Sequence, residues 1–379
     1  MKRNLKRFFA VMLLLAFMIP QSVSAAGNTE ELSLMIQETA ASMKLSYNAK
    51  GKTILSDAAI FPPGDPGSDW VAMTFAFAGM EEAYDDYLNQ LEKYVVEKYK
   101  KQGYLENIKA TEYHRIALTM YALGGNPENI KYGNESIHLI NDGTFGFHSG
   151  SPGMQGTNGL IYALLAADAK HSKEPENTAN SRQSFVDGIL ACQDENGAFA
   201  LDQGFEGDID ITAMALQALA PYRQQETVNT AIESALIWIS EQLTDDCMLI
   251  SYGSESAESL AQTILALCAL GIDPEEDERF IRNGRTLLDG LNSFRTEGGL
   301  YYHSKSDAEY SMLSTYQSLL ALEAVERFRT DGSWILDFTD YTAPESVDTN
   351  NPYLWIAAGG IAVLAAVIFI LLKSKKKTA

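Results

Sequence analysis

The stretch of sequence with the clearest chemical potential is Asp208-Ile-Asp-Ile-Thr-Ala213, in which two carboxylates stand two residues apart. A carboxylic acid that is kept protonated by desolvation and by neighbouring acids can donate a proton to a substrate. The same residue types at the start of a helix cap free backbone N–H groups and oppose the helix dipole. From the sequence alone, Asp210 is therefore either a catalytic acid or part of a helix start.

Similar polar residues recur ahead of five other apolar segments, at positions where helices are predicted to begin. If all six helices begin at the same end of the molecule, these side chains crowd one mouth of a central cavity. Acidic side chains gathered there favour a cationic or hydrogen-bond-donating ligand. Besides Asp210 as the candidate catalytic acid, the predicted ligand-binding residues are Asp69, Trp70, Glu112, His114, Gln155, Asn158, Asp208, Thr212, Glu258 and Tyr310.

Several other chemistries are not indicated by the sequence. The five histidines include no pair with the His-x-x-x-His spacing, so neither a metal site nor a cofactor is predicted. The 29 Lys and Arg residues against 50 Asp and Glu residues give a formal net charge of −21. That balance argues against nucleic acid as a partner, because duplex affinity comes mainly from cationic side chains that displace counterions.

The elements that must position these residues belong to a repeat. Six apolar segments rich in small residues contain the equivalent residues Phe77, Leu123, Leu165, Leu219, Leu270 and Leu322, which lie 46, 42, 54, 51 and 52 residues apart. This period is typical of a helical hairpin. More polar amphipathic stretches lie between them, at 83–100, 182–193, 228–243 and 277–294, and are predicted to be surface helices.

Six pairs, each with an outer amphipathic helix followed by an inner apolar helix, predict an all-α fold over residues 30–330. The inner helices can bury their apolar surface only against one another. We therefore predict an (α/α)6 toroid of six helical hairpins. An open solenoid built from the same hairpins is the alternative.

Both ends of the sequence predict membrane targeting. Residues 1–25 have the basic start, apolar run and small residues of a cleaved signal peptide. Residues 353–372 are uncharged and long enough to span a bilayer, and residues 373–379 form a basic tail that predicts a cytoplasmic end. With residues 331–352 as a linker, the chain is predicted to be a single-pass protein of the cell membrane with its toroid outside.

Particular motifs resemble a known superfamily. Gln193-Asp-Glu-Asn-Gly-Ala-Phe199 resembles the Q-x-x-x-G-x-F/W motif of terpenoid cyclases and protein prenyltransferases, while 208–222, 258–263 and 270–274 resemble its secreted bacterial branch. Transcobalamin and intrinsic factor share the α/α-toroid that this resemblance implies. The D-x-D-D-T-A motif of class II triterpene cyclases maps its proton donor onto Asp210, but Ile211 replaces the motif's last Asp. The chain end resembles a Gram-positive sorting signal without LPxTG, which implies a retained anchor in a Gram-positive bacterium.

The incomplete catalytic motif favours binding over catalysis. We expect an extracellular, membrane-anchored protein that binds a small molecule or a cell-surface partner, and a corrinoid-like nutrient is the most specific ligand that the resemblance implies. One alternative is a terpene or squalene cyclase-like enzyme with Asp210 as general acid. Another is a structural or adhesive surface module, for which the central cavity is expected to be filled.

Overall fold

The computed structural model of the protein describes residues 20–47 and 53–349. The predicted membrane span and basic tail lie outside these residues, as does most of the predicted signal peptide. Within the described part, no helix is long and apolar enough to cross a membrane. The described chain is all-α apart from two short hairpins of strands.

Twelve α-helices are present in the described residues. In chain order they are α1 (Pro20–Ser46), α2 (Pro66–Phe77), α3 (Tyr84–Gln102), α4 (Ala110–Ala122), α5 (Leu139–Gly143), α6 (Thr157–Asp168), α7 (Arg182–Leu190), α8 (Ile209–Leu219), α9 (Glu226–Glu241), α10 (Ala257–Ala269), α11 (Leu287–Asn292) and α12 (Met312–Asp331). The two hairpins pair β1 (Ile130–Tyr132) with β2 (Glu135–Ile137) and β3 (Ile250–Ser251) with β4 (Ser254–Glu255), both antiparallel.

The even-numbered helices pack on one another. Each contacts the next even-numbered helix, and α12 also contacts α2, so the six contact one another in a cyclic order. The odd-numbered helices α5, α7, α9 and α11 each pack on the even-numbered helix that precedes them, and α1 packs on α12. The first and last described helices therefore lie side by side, which joins the two ends of the repeat.

Apolar side chains in the turns ahead of the even-numbered helices are buried, as their spacing in the sequence predicts. They include Leu55, Leu105, Phe145, Phe199 and Leu249. The turn before α8 is held by its own helix, because the Phe199 backbone N–H donates to Thr212 Oγ1 at 2.8 Å. The turn before α12 repeats this bond between the Tyr301 N–H and Thr315 Oγ1, at 2.9 Å.

The prediction of one continuous helix over 277–294 is wrong. A 3-10 turn at Glu278–Phe280 is followed by a tight turn, and only α11 is α-helical there. Asn283 and Gly284 in that turn have φ values of 52° and 77°, a left-handed conformation that a right-handed helix cannot contain. The shortest of the odd-numbered helices are α5, with 5 residues, and α11, with 6 residues.

The segment 333–349, which we call the strap, packs against the ends of the inner helices, although the sequence predicts a linker at 331–352. The Phe338 N–H donates to the Ala169 carbonyl at 2.8 Å, and the Tyr341 hydroxyl donates to the Ala122 carbonyl at 3.1 Å. Phe338 is fully buried and its ring stacks on Phe77, with ring centroids 5.9 Å apart. The strap is ordered because its apolar side chains have a surface to cover.

Candidate functional site

A cluster of polar side chains lies where α8, α10 and α12 begin. We call it the mouth cluster, and it consists of Asp210, Glu258, Ser259, His303 and Ser314. The Ser259 hydroxyl donates to Asp210 Oδ1 at 2.7 Å, which joins α8 to α10. Glu258 Oε1 accepts a 2.5 Å hydrogen bond from the Ser314 hydroxyl on α12, and its Oε2 lies 2.8 Å from His303 Nδ1. Residues distant in sequence are thus drawn to one place by three adjacent helix starts.

Helix caps set the direction of these side chains. Asp208, Ser256 and Ser311 are the N-cap residues of α8, α10 and α12, and each accepts a hydrogen bond from the backbone N–H three residues later. Such a cap fixes the first turn of a helix. Asp210, Glu258 and Ser314 follow their caps within that turn, so their positions are fixed by backbone geometry.

The members of the mouth cluster differ in their access to solvent. Ser259 and Ser314 are fully buried, and Glu258 is 7% exposed. The His303 side chain is 52% exposed, and Asp210 is half-buried. Desolvation raises the pKa of Asp210, and the negative charges of Asp208 and Glu258 act in the same direction, against the Ser259 hydrogen bond and His303.

The pairing of Glu258 with His303 determines what the cluster can do. A carboxylate that accepts from Nδ1 fixes the orientation of the imidazole ring. Among the described residues, none forms a hydrogen bond with His303 Nε2. Together with the half-buried carboxyl of Asp210, the site offers acceptors to a ligand that carries positive charge or hydrogen-bond donors.

A second acidic network lies at the starts of α2 and α4, and its central carboxylate, Asp69, is closed to solvent. Asp69 is fully buried, accepting from Arg115 Nε at 2.9 Å, from the Tyr87 hydroxyl at 2.7 Å and from the Gly64 N–H at 3.1 Å. Arg115 also donates to both carboxylate oxygens of Glu112, at 2.9 and 2.8 Å. We call these residues the buried network. Asp69, predicted to bind ligand, is satisfied entirely by the protein.

His114 is likewise enclosed. It is fully buried, and its Nε2 lies 2.8 Å from the Gly143 carbonyl at the end of α5. Burial lowers the pKa of His114 to about 4, so the ring is neutral near pH 7. Thr212 is also buried, where its hydroxyl ties the Phe199 turn to α8. These two predicted ligand-binding residues therefore face the protein interior.

The other predicted residues have mixed surroundings. Gln155 exchanges hydrogen bonds with Thr111, at 3.0 Å to its backbone N–H and 3.1 Å to its hydroxyl. Asn158 Oδ1 is buried with no hydrogen-bond partner in the described residues. Tyr310 is 47% exposed and keeps its hydroxyl near solvent. The structure thus brings together Asp208, Asp210 and Glu258, but not the whole predicted set.

Aromatic side chains occupy the interior between the inner helices. Trp70 on α2 and Tyr162 on α6 meet edge to face, with ring centroids 6.4 Å apart. Burial raises the pKa of Tyr162 to about 12, and Tyr316 on α12 is close enough to interact electrostatically with Tyr162 and Glu258. Helices α2 and α6 are not neighbours in the cyclic order, so these two rings meet across the space between the even-numbered helices.

The sequence did not single out Ser259 or Ser314, and it placed His303 only in a turn. A signal was available for the two serines, because each follows a serine N-cap by three residues at the start of an inner helix. Among the described residues, no group of three or more His, Cys, Asp or Glu side chains is arranged to hold a metal ion.

Comparisons with protein-family models and with curated proteins identify no relative of this chain.

Proposed function

We propose that this chain is a membrane-anchored binding protein of a bacterial cell surface, and that its mouth cluster binds a small ligand that is cationic or rich in hydrogen-bond donors. The predicted signal peptide and membrane span support the location. The proposal also includes the fold: six helical hairpins closed into an α/α-toroid. The cyclic contacts of the even-numbered helices, with α1 packed on α12, support closure over an open solenoid.

The observation that carries the proposed binding is the incomplete pairing of the mouth cluster. Desolvation and the nearby negative charges of Asp208 and Glu258 raise the pKa of Asp210, and no Lys or Arg side chain forms an ion pair with any of these three carboxylates in the described residues. The nearest compensating group, His303, is half-exposed. A ligand cation or donor at this place would complete the hydrogen bonds and offset the acidic charge.

The ligand can be tested through its most specific candidate class, the corrinoids. Equilibrium dialysis of the full chain in nanodiscs against cobinamide and cobalamin should show retention that falls as salt is added, because exposed charges are screened. Retention that does not respond to salt would contradict an acidic binding site. No retention of either compound would remove the corrinoid version and leave a basic surface partner as the remaining occupant.

A second candidate, a cyclase-like enzyme, is favoured by two specific observations. Asp210 is a carboxyl with a raised pKa, and the aromatic side chains Trp70, Tyr162 and Tyr316 lie on the even-numbered helices α2, α6 and α12. Aromatic faces stabilise cationic intermediates. Incubation with squalene or a polyprenyl substrate should then give a product that disappears in Asp210→Asn, and the absence of turnover with any polyprene would exclude it.

A further inference from the structure

A cavity of about 430 Å³ lies at the end of the inner helices opposite the mouth cluster. It is lined by the last turns of α6, α8 and α10 and by the strap. We propose that this cavity is a second ligand site, for a flat, neutral and mainly apolar molecule. Its volume is within the range of small-molecule sites in proteins.

Small side chains give the cavity its flat apolar floor. Four alanines from three different helix ends line it: Ala169, Ala218, Ala220 and Ala269. Larger residues at these positions would fill the space, whereas methyl groups leave room for a thin molecule. Trp334 of the strap and Tyr222 supply aromatic walls. A planar apolar ligand suits this combination, since aromatic side chains pack best on flat partners.

Two charged groups on the wall of the cavity, Asp168 and Arg182, are paired with each other. Asp168 Oδ1 accepts from Arg182 Nε at 2.7 Å, and its Oδ2 accepts from the Tyr222 hydroxyl at 2.7 Å. Arg182 also donates to the carbonyls of Ala167 and Ser172, both at 2.8 Å. The remaining carboxylate of the lining, Asp337 on the strap, accepts a hydrogen bond from the Thr339 N–H at 2.9 Å. With Asp168 and Arg182 paired and most of the lining apolar, the cavity favours a neutral ligand over the cation expected at the mouth cluster.

The strap that forms one wall is pinned beyond the cavity. Leu336 is buried, and the next contacts along the strap are the Phe338 bond to Ala169 and the Tyr341 bond to Ala122. Trp334 is thus held over the alanine floor from one side. A wall fixed before the ligand arrives costs less ordering entropy on binding than a free segment would.

This site is independent of the proposed function. On α8 the mouth cluster uses Asp210 and the cavity uses Ala218, about 8 residues or ~12 Å further along the helix axis. A ligand can therefore occupy the cavity whether or not the mouth binds anything. The two proposals also differ in ligand chemistry, so one can fail while the other holds.

The test uses 2-naphthol, a flat neutral molecule with one hydroxyl. Equilibrium dialysis of the full chain in nanodiscs, with empty nanodiscs subtracted, should show saturable retention of one molecule per chain. Ala269→Leu, which fills the floor, should weaken retention at least tenfold. Its matched control Ala191→Leu, at an exposed position after α7 and outside the cavity, should leave retention unchanged. Glu258→Gln at the opposite end should also leave it unchanged.

Two results would overturn the second site. One is the absence of saturable retention above empty nanodiscs; the other is equal retention by Ala269→Leu and Ala191→Leu. Should Ala269→Leu lose its helical circular dichroism, Trp334→Ala takes its place, because the half-buried Trp334 can be removed without a change inside a helix. This variant should weaken retention at least fivefold, and unchanged retention would equally refute the site.

Discussion

The two acidic networks at the starts of the inner helices differ in what their carboxylates face. In the buried network, Asp69 lies against Arg115 and Tyr87, and every one of these side chains is enclosed. In the mouth cluster, Asp210 and Glu258 have only hydroxyl groups and a half-exposed imidazole as partners. Both networks come from the same kind of sequence, an acid near the first turn of an apolar helix.

The difference separates a stabilising role from a binding role. A buried carboxylate with a guanidinium partner is strongly destabilised if that partner is removed, because its charge is then left uncompensated away from water. A half-buried carboxylate with neutral partners has acceptor capacity to spare, and its removal leaves no buried charge unpaired. Changes in the buried network should therefore affect folding, while changes in the mouth cluster should affect the ligand.

The largest expected effect is that of Arg115→Met. The substitution keeps the apolar stem but leaves Asp69 and Glu112 without their cation, and loss of one partner of a buried pair costs about 3–5 kcal/mol. Urea unfolding of the full chain, followed by circular dichroism, measures the loss. The double variant Asp69→Asn with Arg115→Met should recover part of it, since no buried charge then remains.

A loss below about 1 kcal/mol in Arg115→Met would contradict the contrast between the networks. Equal retention of ligand per folded molecule is the second part of this prediction, since Arg115 does not contact the mouth cluster. A stable variant that fails to bind would assign the buried network to the site.

The next largest effect is the pH dependence of stability that comes from His114. The folded pKa of His114 is about 4, below its ordinary value of 6.5, so the unfolded chain takes up the proton first. Its contribution to stability is therefore complete above about pH 6.5 and is lost as the pH falls toward 4. Since one pKa unit corresponds to about 1.4 kcal/mol, the loss is about 3 kcal/mol.

Unfolding midpoints at pH 7 and pH 4.5 measure this loss, with His114→Gln as the comparison. The glutamine amide can still donate to the Gly143 carbonyl but does not titrate, so its stability should fall less on acidification. Identical pH profiles for the parent and His114→Gln would contradict the burial of that ring.

A smaller effect is expected for Glu258→Gln, and it should appear in binding. The substitution removes the negative charge that would pair with the ligand, and it changes the hydrogen bond that orients the His303 ring. Retention of cobinamide should therefore weaken about tenfold, or ~1.4 kcal/mol. The folded state should lose no more than about 1 kcal/mol, because the amide still accepts from Ser314. Glu255→Gln is the matched control: this nearby carboxylate pairs with Lys305 at 3.4 Å on the surface, and its removal should change retention less than twofold.

Periodicity was sufficient to predict the layers of this fold. The apolar segments correspond to α2, α4, α6, α8, α10 and α12, because only helices that face one another can bury residues such as Leu118, Leu216 and Leu265. The same reasoning failed over 277–294, where a local turn at Asn283 and Gly284 interrupts an amphipathic pattern. Hydrophobic patterning describes a face over many residues and does not register a two-residue break.

The strap illustrates a different limit. Segment 331–352 is predicted only as a linker, and in its described part Trp334, Phe338 and Tyr341 carry enough apolar area to cover a helix end. The available signal was aromatic density. What the sequence could not supply was the surface, because the ends of six separate helices form it only after folding.

The site was the least predictable part, because it depends on contacts between repeats. Asp210 with Ser259 and Glu258 with His303 are separated by 49 and 45 residues, nearly one repeat in each case. The sequence placed these acids near one mouth but could not say which would meet a cation within the protein. Asp69 and His114 were predicted to bind ligand for the same reasons as Glu258. In the folded protein, however, Arg115 packs against Asp69 and the end of α5 packs against His114, so both are enclosed.

The smallest expected effect is that of Asp210→Asn, and its sign is the informative part. The folded pKa of Asp210 is raised by desolvation, so this group favours the folded state below the ordinary pKa of 3.8 and loses that contribution as the pH rises through the folded value. At pH 7 the charged form is disfavoured in the folded chain, and the neutral amide, which still accepts from Ser259, should raise stability by about 0.5 kcal/mol.

Asp208→Ala, two residues earlier, should instead lower stability by about 1 kcal/mol, because it removes the cap on the Ile211 N–H. Urea midpoints at pH 7 compare the two, and a loss of stability in Asp210→Asn would mean that its carboxylate is paired in the folded protein, as Asp69 is, and is not held available for a ligand.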